Sequence, residues 1–260
     1  MKIREVVDAL ERFAPLPLQE GWDNAGLQVG LTEAEVSGAL LCLDVTESVV
    51  DEALQKGCNL IVSHHPLIFR ALKHVTGATE IERTVIKAIR NNIAIVSMHT
   101  NMDNARGGVN FKIAEKMGLC DVRFIGEDGA AADKGSGVVG ELAASMAAKD
   151  FIGMLKTVFK VECVQCNRLL MRNIKRVAIC GGSGAFMLDE AINSGADAFV
   201  TGEMHYHDYF AHEQQIQIAV IGHYQSEQFT NEIFNSIIKE ACPDVKTFLT
   251  STNTNPIICL

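Results

Sequence analysis

Cys42-Leu43-Asp44 through Val50-Asp51-Glu52-Ala53-Leu54, then Lys56-Gly57-Cys58-Asn59 and Val62-Ser63-His64-His65, is the stretch that decides the fold, because the chain carries it twice. Shifted by 138 positions (Cys42 onto Cys180) and without a gap, it becomes Cys180-Gly181-Gly182 through Leu188-Asp189-Glu190-Ala191-Ile192, then Ser194-Gly195-Ala196-Asp197 and Val200-Thr201-Gly202-Glu203. Both copies read as strand, helix, glycine cap, strand. Gly57 and Gly195 share the slot after the helix, where a left-handed backbone is needed and glycine adopts it without a Cβ clash. A further helix and strand follow each copy, ending at Met98-His99 in one and Gly222-His223 in the other. That alternation is the signature of an α/β fold with largely parallel sheets. Two copies imply two similar lobes of layered sheets with helices on their faces.

Outward from the repeat, Gly126 to Gly137 is rich in Gly, Ala and Asp and reads as a linker. A strand over 137–142, a helix over 149–159 and another strand before Arg176-Val177-Ala178-Ile179 follow it. The lobe boundaries expected are residues 1–125 for the first and 126–215 for the second. The last segment, 216–260, returns to the first lobe, so the lobes are interlinked. At the amino end, Ile3, Val6, Val7, Leu10 and Phe13 fall on one face of an amphipathic helix.

Three apolar runs end in imidazoles and carboxylates. Asn59-Leu60-Ile61-Val62 leads to Ser63-His64-His65-Pro66, Ile93-Ala94-Ile95-Val96 to Met98-His99 and on to Asp103, and Ile218-Ala219-Val220-Ile221 to Gly222-His223 and Glu227. Ligands of open parallel sheets bind beyond the carboxyl ends of strands. Mixed imidazole and carboxylate donors suit a divalent metal, and there are enough here for two ions. For His64 and His65 to face one metal the strand must break, which Pro66 helps by barring the ladder. Asp103 reads either as a ligand or as a turn residue in a polar loop. His223 and Glu227, spaced i, i+4, share a face if a helix starts near Gln225. His99 reads as a partner of a ligand or as a core residue. Because His64-His65 aligns with Gly202-Glu203, the lobes share a fold and not the histidines, which favours chemistry over architecture.

Glu203, His205, His207 and Asp208 make a third polar cluster, and Glu203 and His205, with His99, are the candidates for lining the pocket and moving protons. Gly181-Gly182-Ser183-Gly184 reads either as a phosphate cradle or as a plain glycine turn. Cys163-Val164-Gln165-Cys166 lies in an apparent strand, Val161 to Cys166, and reads as free buried cysteine, not a zinc site, because it lacks a second ligand pair.

Lys plus Arg is 23 against 32 for Asp plus Glu, a formal charge of −9 that argues against a nucleic-acid surface. With 48% hydrophobic and 21% charged residues the composition is that of a soluble globular protein. No run approaches the roughly 20 apolar residues of a membrane span. The compartment expected is the cytoplasm.

Gly21-Trp22-Asp23-Asn24-Ala25-Gly26-Leu27, Ser63-His64-His65-Pro66-Leu67, His99-Thr100-Asn101-Met102-Asp103, Thr201-Gly202-Glu203-Met204-His205-Tyr206-His207 and Gly222-His223-Tyr224-Gln225-Ser226-Glu227 occur in order along nearly the whole chain. With them the sequence resembles the Nif-three-like family, whose bacterial members are labelled GTP cyclohydrolase I type 2 homologues, and among them the short form without an inserted domain. The resemblance implies that His64, His65, Asp103, His223 and Glu227 bind two metal ions, and that the chain forms a homohexamer with its metal sites facing an internal cavity. Zinc, iron or manganese suits the donors best. Two functions follow: a metal-dependent hydrolase acting on a small molecule such as a nucleotide or a phosphoester, or a non-catalytic metal carrier or scaffold. Trp22, Tyr206 and Asn24 are the candidates for reading a nucleobase.

Overall fold

The computed structural model describes residues 1–126 and 133–258. Along the chain the elements are α1 (Ile3–Phe13), β1 (Gly26–Val29), β2 (Ala39–Cys42), α2 (Glu47–Gln55), β3 (Leu60–Ser63), α3 (Glu80–Arg90), β4 (Ala94–Ser97), α4 (Thr100–Asn104), α5 (Val109–Lys116), β5 (Cys120–Phe124), β6 (Val138–Met146), α6 (Ala148–Phe159), β7 (Gln165–Cys166), β8 (Ile174–Cys180), α7 (Leu188–Asn193), β9 (Ala198–Thr201), β10 (Gln217–Val220), α8 (His223–Glu227), α9 (Thr230–Ala241) and β11 (Thr247–Leu249). The chain divides into two units. The first is Met1–Ala105 with Thr230–Pro256; the second is Arg106–Phe229 with the chain from Ile257.

The first unit holds a five-stranded sheet in the order β1-β4-β3-β2-β11. Its inner strands run parallel, and β1 closes one edge antiparallel to β4. β2, β3 and β4 are buried at every position, as expected of short Val, Ile and Leu runs covered on both faces. Val49, Val50 and Ala53 of α2 and Val85 and Ala88 of α3 pack into the same core as Leu40, Ile61 and Ile95. Thr46 and Thr79 cap these two helices by accepting the backbone N–H three residues on. On α1, Ile3, Val6, Val7 and Leu10 are buried while Phe13 is exposed. The predicted face thus ends one turn early.

The second unit holds a six-stranded mixed sheet, β5-β6-β8-β9-β10-β7. Its core gathers Ala178, Phe199, Ile218 and Val220 under Leu188 and Ala191 of α7. The repeat is exact at the level of register. Ala39 pairs with Leu60 and Cys42 with Ser63 in one sheet; Val177 pairs with Ala198 and Cys180 with Thr201 in the other. Each of these partners lies 138 residues from its counterpart. The helix ends repeat too: Gly57 N–H donates to Leu54 O and Cys58 N–H to Ala53 O, as Gly195 does to Ile192 O and Ala196 to Ala191 O. Gly57 and Gly195 have φ of 69° and 71°.

Four sequence expectations change. Gln217–Val220 pairs in parallel with Ala198–Thr201, so the segment from 216 to 229 belongs to the second unit and only Thr230–Pro256 returns to the first. Residues 106–125 also join the second unit, because Cys120–Phe124 pairs with β6. Between β9 and β10 a single 3-10 turn, Tyr206–Tyr209, stands where the first unit has α3. The strand read over Val161 to Cys166 shortens to Gln165–Cys166, and Cys163 and Cys166 are exposed, not buried. Residues 127–132 of the expected linker lie outside the described residues.

Candidate metal centre

In the first unit, β3 ends at Ser63, yet the backbone pairing runs on through both histidines. His64 N–H donates to Cys42 O (3.1 Å) and His65 N–H to Leu43 O (2.9 Å). Pro66, which has no N–H, ends the run. The two rings nevertheless lie side by side, centroids 4.9 Å apart, so the strand break expected from the sequence comes after the histidines and not before them. After β4, His99 caps α4, and Asp103 N–H donates to His99 O within that helix (3.1 Å). A short helix replaces the loop expected here, and it turns Asp103 back over the histidines: its Oδ1 lies 3.6 Å from His64 Nε2.

Each imidazole is held by its Nδ1. His64, fully buried, places Nδ1 2.9 Å from Met98 O. His65 Nδ1 lies 2.8 Å from Asp44 Oδ1, and His99 Nδ1 lies 2.7 Å from Asp23 Oδ1. A carbonyl or an ionised carboxylate can only accept, so each Nδ1 carries a proton, and in the neutral ring Nε2 then carries the lone pair. One ligand atom from each of His64, His65 and His99 lies within 4.8 Å of the others. This is the orientation that metal-ligating histidines take when an outer oxygen fixes their tautomer.

Those outer carboxylates are themselves anchored. Burial of Asp23 favours its neutral form, but hydrogen bonds from His99 and Thr100 outweigh this and hold its carboxyl at about 2. Thr100 contributes both its backbone N–H and its hydroxyl. Asp44 is likewise partly desolvated, and contacts with His65 and Thr254 lower it below the usual carboxylate range. Thr254 Oγ1 donates to Asp44 Oδ2 at 2.7 Å, so the carboxyl-terminal segment takes part in holding His65.

In the second unit, α8 begins at His223, two residues earlier than expected, and puts His223 and Glu227 on one face. His223 Nε2 lies 3.2 Å from Glu227 Oε2, and Nδ1 lies 3.1 Å from Glu203 Oε1. Glu203 is therefore the oxygen that holds this imidazole, and Ser183 Oγ donates to its other oxygen (2.6 Å). His205 is 95% exposed and pairs with Asp208 at 3.5 Å. It lines the same cavity of about 700 Å³ as Glu203 and His223.

The glycine run 181–184 is packing, not a phosphate cradle. Gly181 N–H donates to Asn110 Oδ1, Gly182 N–H to Ser226 Oγ and Gly184 N–H to Thr201 Oγ1, so these donors are committed. Gly182 has φ of 59°, and a Cβ there would meet Glu227 Oε1 at 2.3 Å. A Cβ on Gly202 would stand 2.9 Å from His223 Cα. Bare backbone at both positions is what lets α8 approach.

Comparisons with known proteins point to one family. Residues 1–256 match the family described as Duf34/NIF3 (NGG1p interacting factor 3). This chain belongs to that family. A Clostridium perfringens protein called "GTP cyclohydrolase 1 type 2 homolog" is 36% identical over 230 residues, covering 87% of each chain. The Drosophila melanogaster "NIF3-like protein 1" is 31% identical and covers 99% of this chain and 89% of its own. A crystal structure of a Staphylococcus aureus protein superposes with a TM-score of 0.92 at 28% identity, over 100% of this chain and 99% of that one.

The donor set suits a divalent ion: lone pairs on oriented Nε2 atoms, with Asp103 in one unit and buried Glu227 in the other as carboxylates. Reasoning from sequence missed the outer shell. Asp23 stands within a quoted motif but received no role. Asp44 sits on the repeat at the position matching Gly182, and that contrast between carboxylate and glycine was the available signal. Thr254, 210 residues from Asp44, left none. Among the described residues, no helix is long and apolar enough to cross a membrane.

Proposed function

We propose that this chain holds two divalent metal ions through His64, His65 and Asp103 of the first unit and His223 and Glu227 of the second, and works as a metal-dependent hydrolase on a nucleotide-like small molecule. The observation that carries the reading is the shared Nδ1 pattern, in which Met98 O, Asp44 and Glu203 each fix one imidazole and aim its Nε2. Histidines serving only the core have no need of this arrangement three times. Bound divalent ions supply Lewis acidity that polarises a substrate oxygen and lowers the pKa of water. The chain's own residues bind and orient. Asp103 and Glu227 bring negative charge against the ions, while Asp44 and Glu203 keep two imidazoles in the ligating tautomer. Zinc, iron(II) and manganese suit this mixture of nitrogen and oxygen donors. The names of the relatives support a purine nucleotide as first substrate to test, and the family resemblance supports a homohexamer.

A second reading, a metal carrier without turnover, is favoured by one feature. Of the three groups expected to move protons, Glu203 and His99 are engaged in orienting contacts and His205 stands almost fully in solvent. The two readings separate in one experiment. Chelator-stripped protein is restored with zinc, iron(II) or manganese and assayed on a nucleotide and phosphoester panel. Turnover that returns with metal supports the hydrolase; full metal binding with no turnover across the panel supports the carrier.

A further inference from the structure

Beside the His64–His65–His99 cluster, the first unit displays two large aromatic rings to solvent. Trp22 is 61% exposed and Phe69 45% exposed. Their centroids are 5.8 Å apart, and the His99 ring presents an edge to both, at 6.0 and 6.2 Å. Left in water, rings of this size forgo the burial that aromatic side chains ordinarily gain in a core. They are also held in place. Asp23, next to Trp22, has a buried side chain locked to His99 and Thr100, and its backbone N–H donates to Glu20 O. Asn24 Nδ2 donates to Ile68 O at 2.7 Å, which ties the segment carrying Trp22 to the one carrying Phe69. Several hydrogen bonds therefore anchor the segments that carry the two exposed rings beside the His99 imidazole.

We propose that Trp22 and Phe69 are the stacking wall of a substrate subsite, and that its ligand carries a planar nitrogen heterocycle. A ring lying on this wall borders His99, and through it the cluster with His65, whose ring centroid is 5.4 Å from that of His99. Asn24 Oδ1 accepts no hydrogen bond among the described residues, which leaves an acceptor beside the wall for an exocyclic amino or ring N–H group. The wall borders the His64–His65–His99 cluster, so a small molecule stacked on it lies where a substrate of that centre must lie, a placement that a protein contact has no need of. This inference rests on the metal-site reading for its choice of a substrate subsite; the stacking itself does not require metal.

The chain has a single tryptophan, so its emission reports this wall alone. Guanosine, adenosine, uridine and ribose 5-phosphate are titrated into metal-depleted and metal-loaded protein, with metal content measured on the same samples. Saturable quenching by at least one nucleoside, with no response to ribose 5-phosphate, is the expected result. Phe69→Ala weakens that binding about 5- to 150-fold, the range for loss of one base-stacking ring. Trp22→Ala, followed by calorimetry, loses a comparable factor and Trp22→Phe recovers most of it. Equal quenching by ribose 5-phosphate, no nucleoside response in either metal state, or unchanged calorimetric affinity in Trp22→Ala overturns the proposal. So does a smaller assembly of Trp22→Ala in sedimentation, which makes the wall a contact between copies. A wild-type protein that takes up no metal but is still quenched by a nucleoside sinks the metal reading and leaves the wall standing.

Discussion

Asp44 shows how much a single side chain outside the proposed ligand set can decide. One oxygen holds His65 Nδ1 and the other accepts from Thr254 Oγ1. Replacing such an outer partner of a metal-ligating histidine costs about 10- to 100-fold in metal affinity. Asp44→Ala is therefore expected to weaken metal binding by that factor in a chelator competition while the circular dichroism spectrum stays that of wild type. Gly182→Ala acts by a different route. Its φ of 59° strains any Cβ, and the added methyl meets Glu227 Oε1. A backbone strain of roughly 1–3 kcal/mol is expected, read as a lowered urea midpoint together with loss of metal. At this scale the sequence showed the candidate ligands more readily than their supports. Histidines after apolar runs are conspicuous, whereas Asp23, Asp44 and Thr254 are ordinary polar residues until folding brings them to an imidazole.

Among the elements, the segment after β11 is fastened by one buried carboxylate on α2. Glu52 accepts at Oε2 from Thr250 Oγ1 and from the backbone and hydroxyl of Thr252, and at Oε1 from the backbone and hydroxyl of Ser251. Burial favours the neutral acid, but these hydrogen bonds win and hold Glu52 at about 2, against an ordinary value of 4.5. A depressed folded-state pKa stabilises the protein above the unfolded value, and that contribution fades as pH falls from about 4.5 through about 2. Glu52→Gln is expected to cost about 2 kcal/mol at neutral pH, the scale of lost charge-assisted hydrogen bonds, and to narrow toward wild type at pH 2–3 in denaturant titrations. A gap that stays constant across this range would remove Glu52 from the account. Elements whose pattern is local were legible: α6 and strands β3, β4, β8 and β10 come within two residues of their sequence reading. The helix Thr100–Asn104 was not, because four polar residues around a single Met102 carry no apolar period. The shortened β7 was not either, because its partner, β10, lies more than fifty residues on and nothing local limits its length.

For the whole molecule, the repeat supplies two sheets of matching register, and the candidate ligands lie where the copies differ. The repeat fixed the fold class because strand, helix and glycine cap recur together. It did not fix the unit boundaries, since a strand such as Gln217–Val220 is assigned by its pairing partner and not by its own residues. A homohexamer is the expected assembly, and sedimentation equilibrium of wild-type protein returning a monomer mass would remove it. The most direct test of the central claim is elemental analysis of purified wild type, His64→Ala and Glu227→Ala, each checked for native circular dichroism. Wild type is expected to carry about two divalent ions per chain, and each variant to lose at least one of them. Folded variants that retain the full wild-type metal content would contradict the assignment of these side chains as ligands.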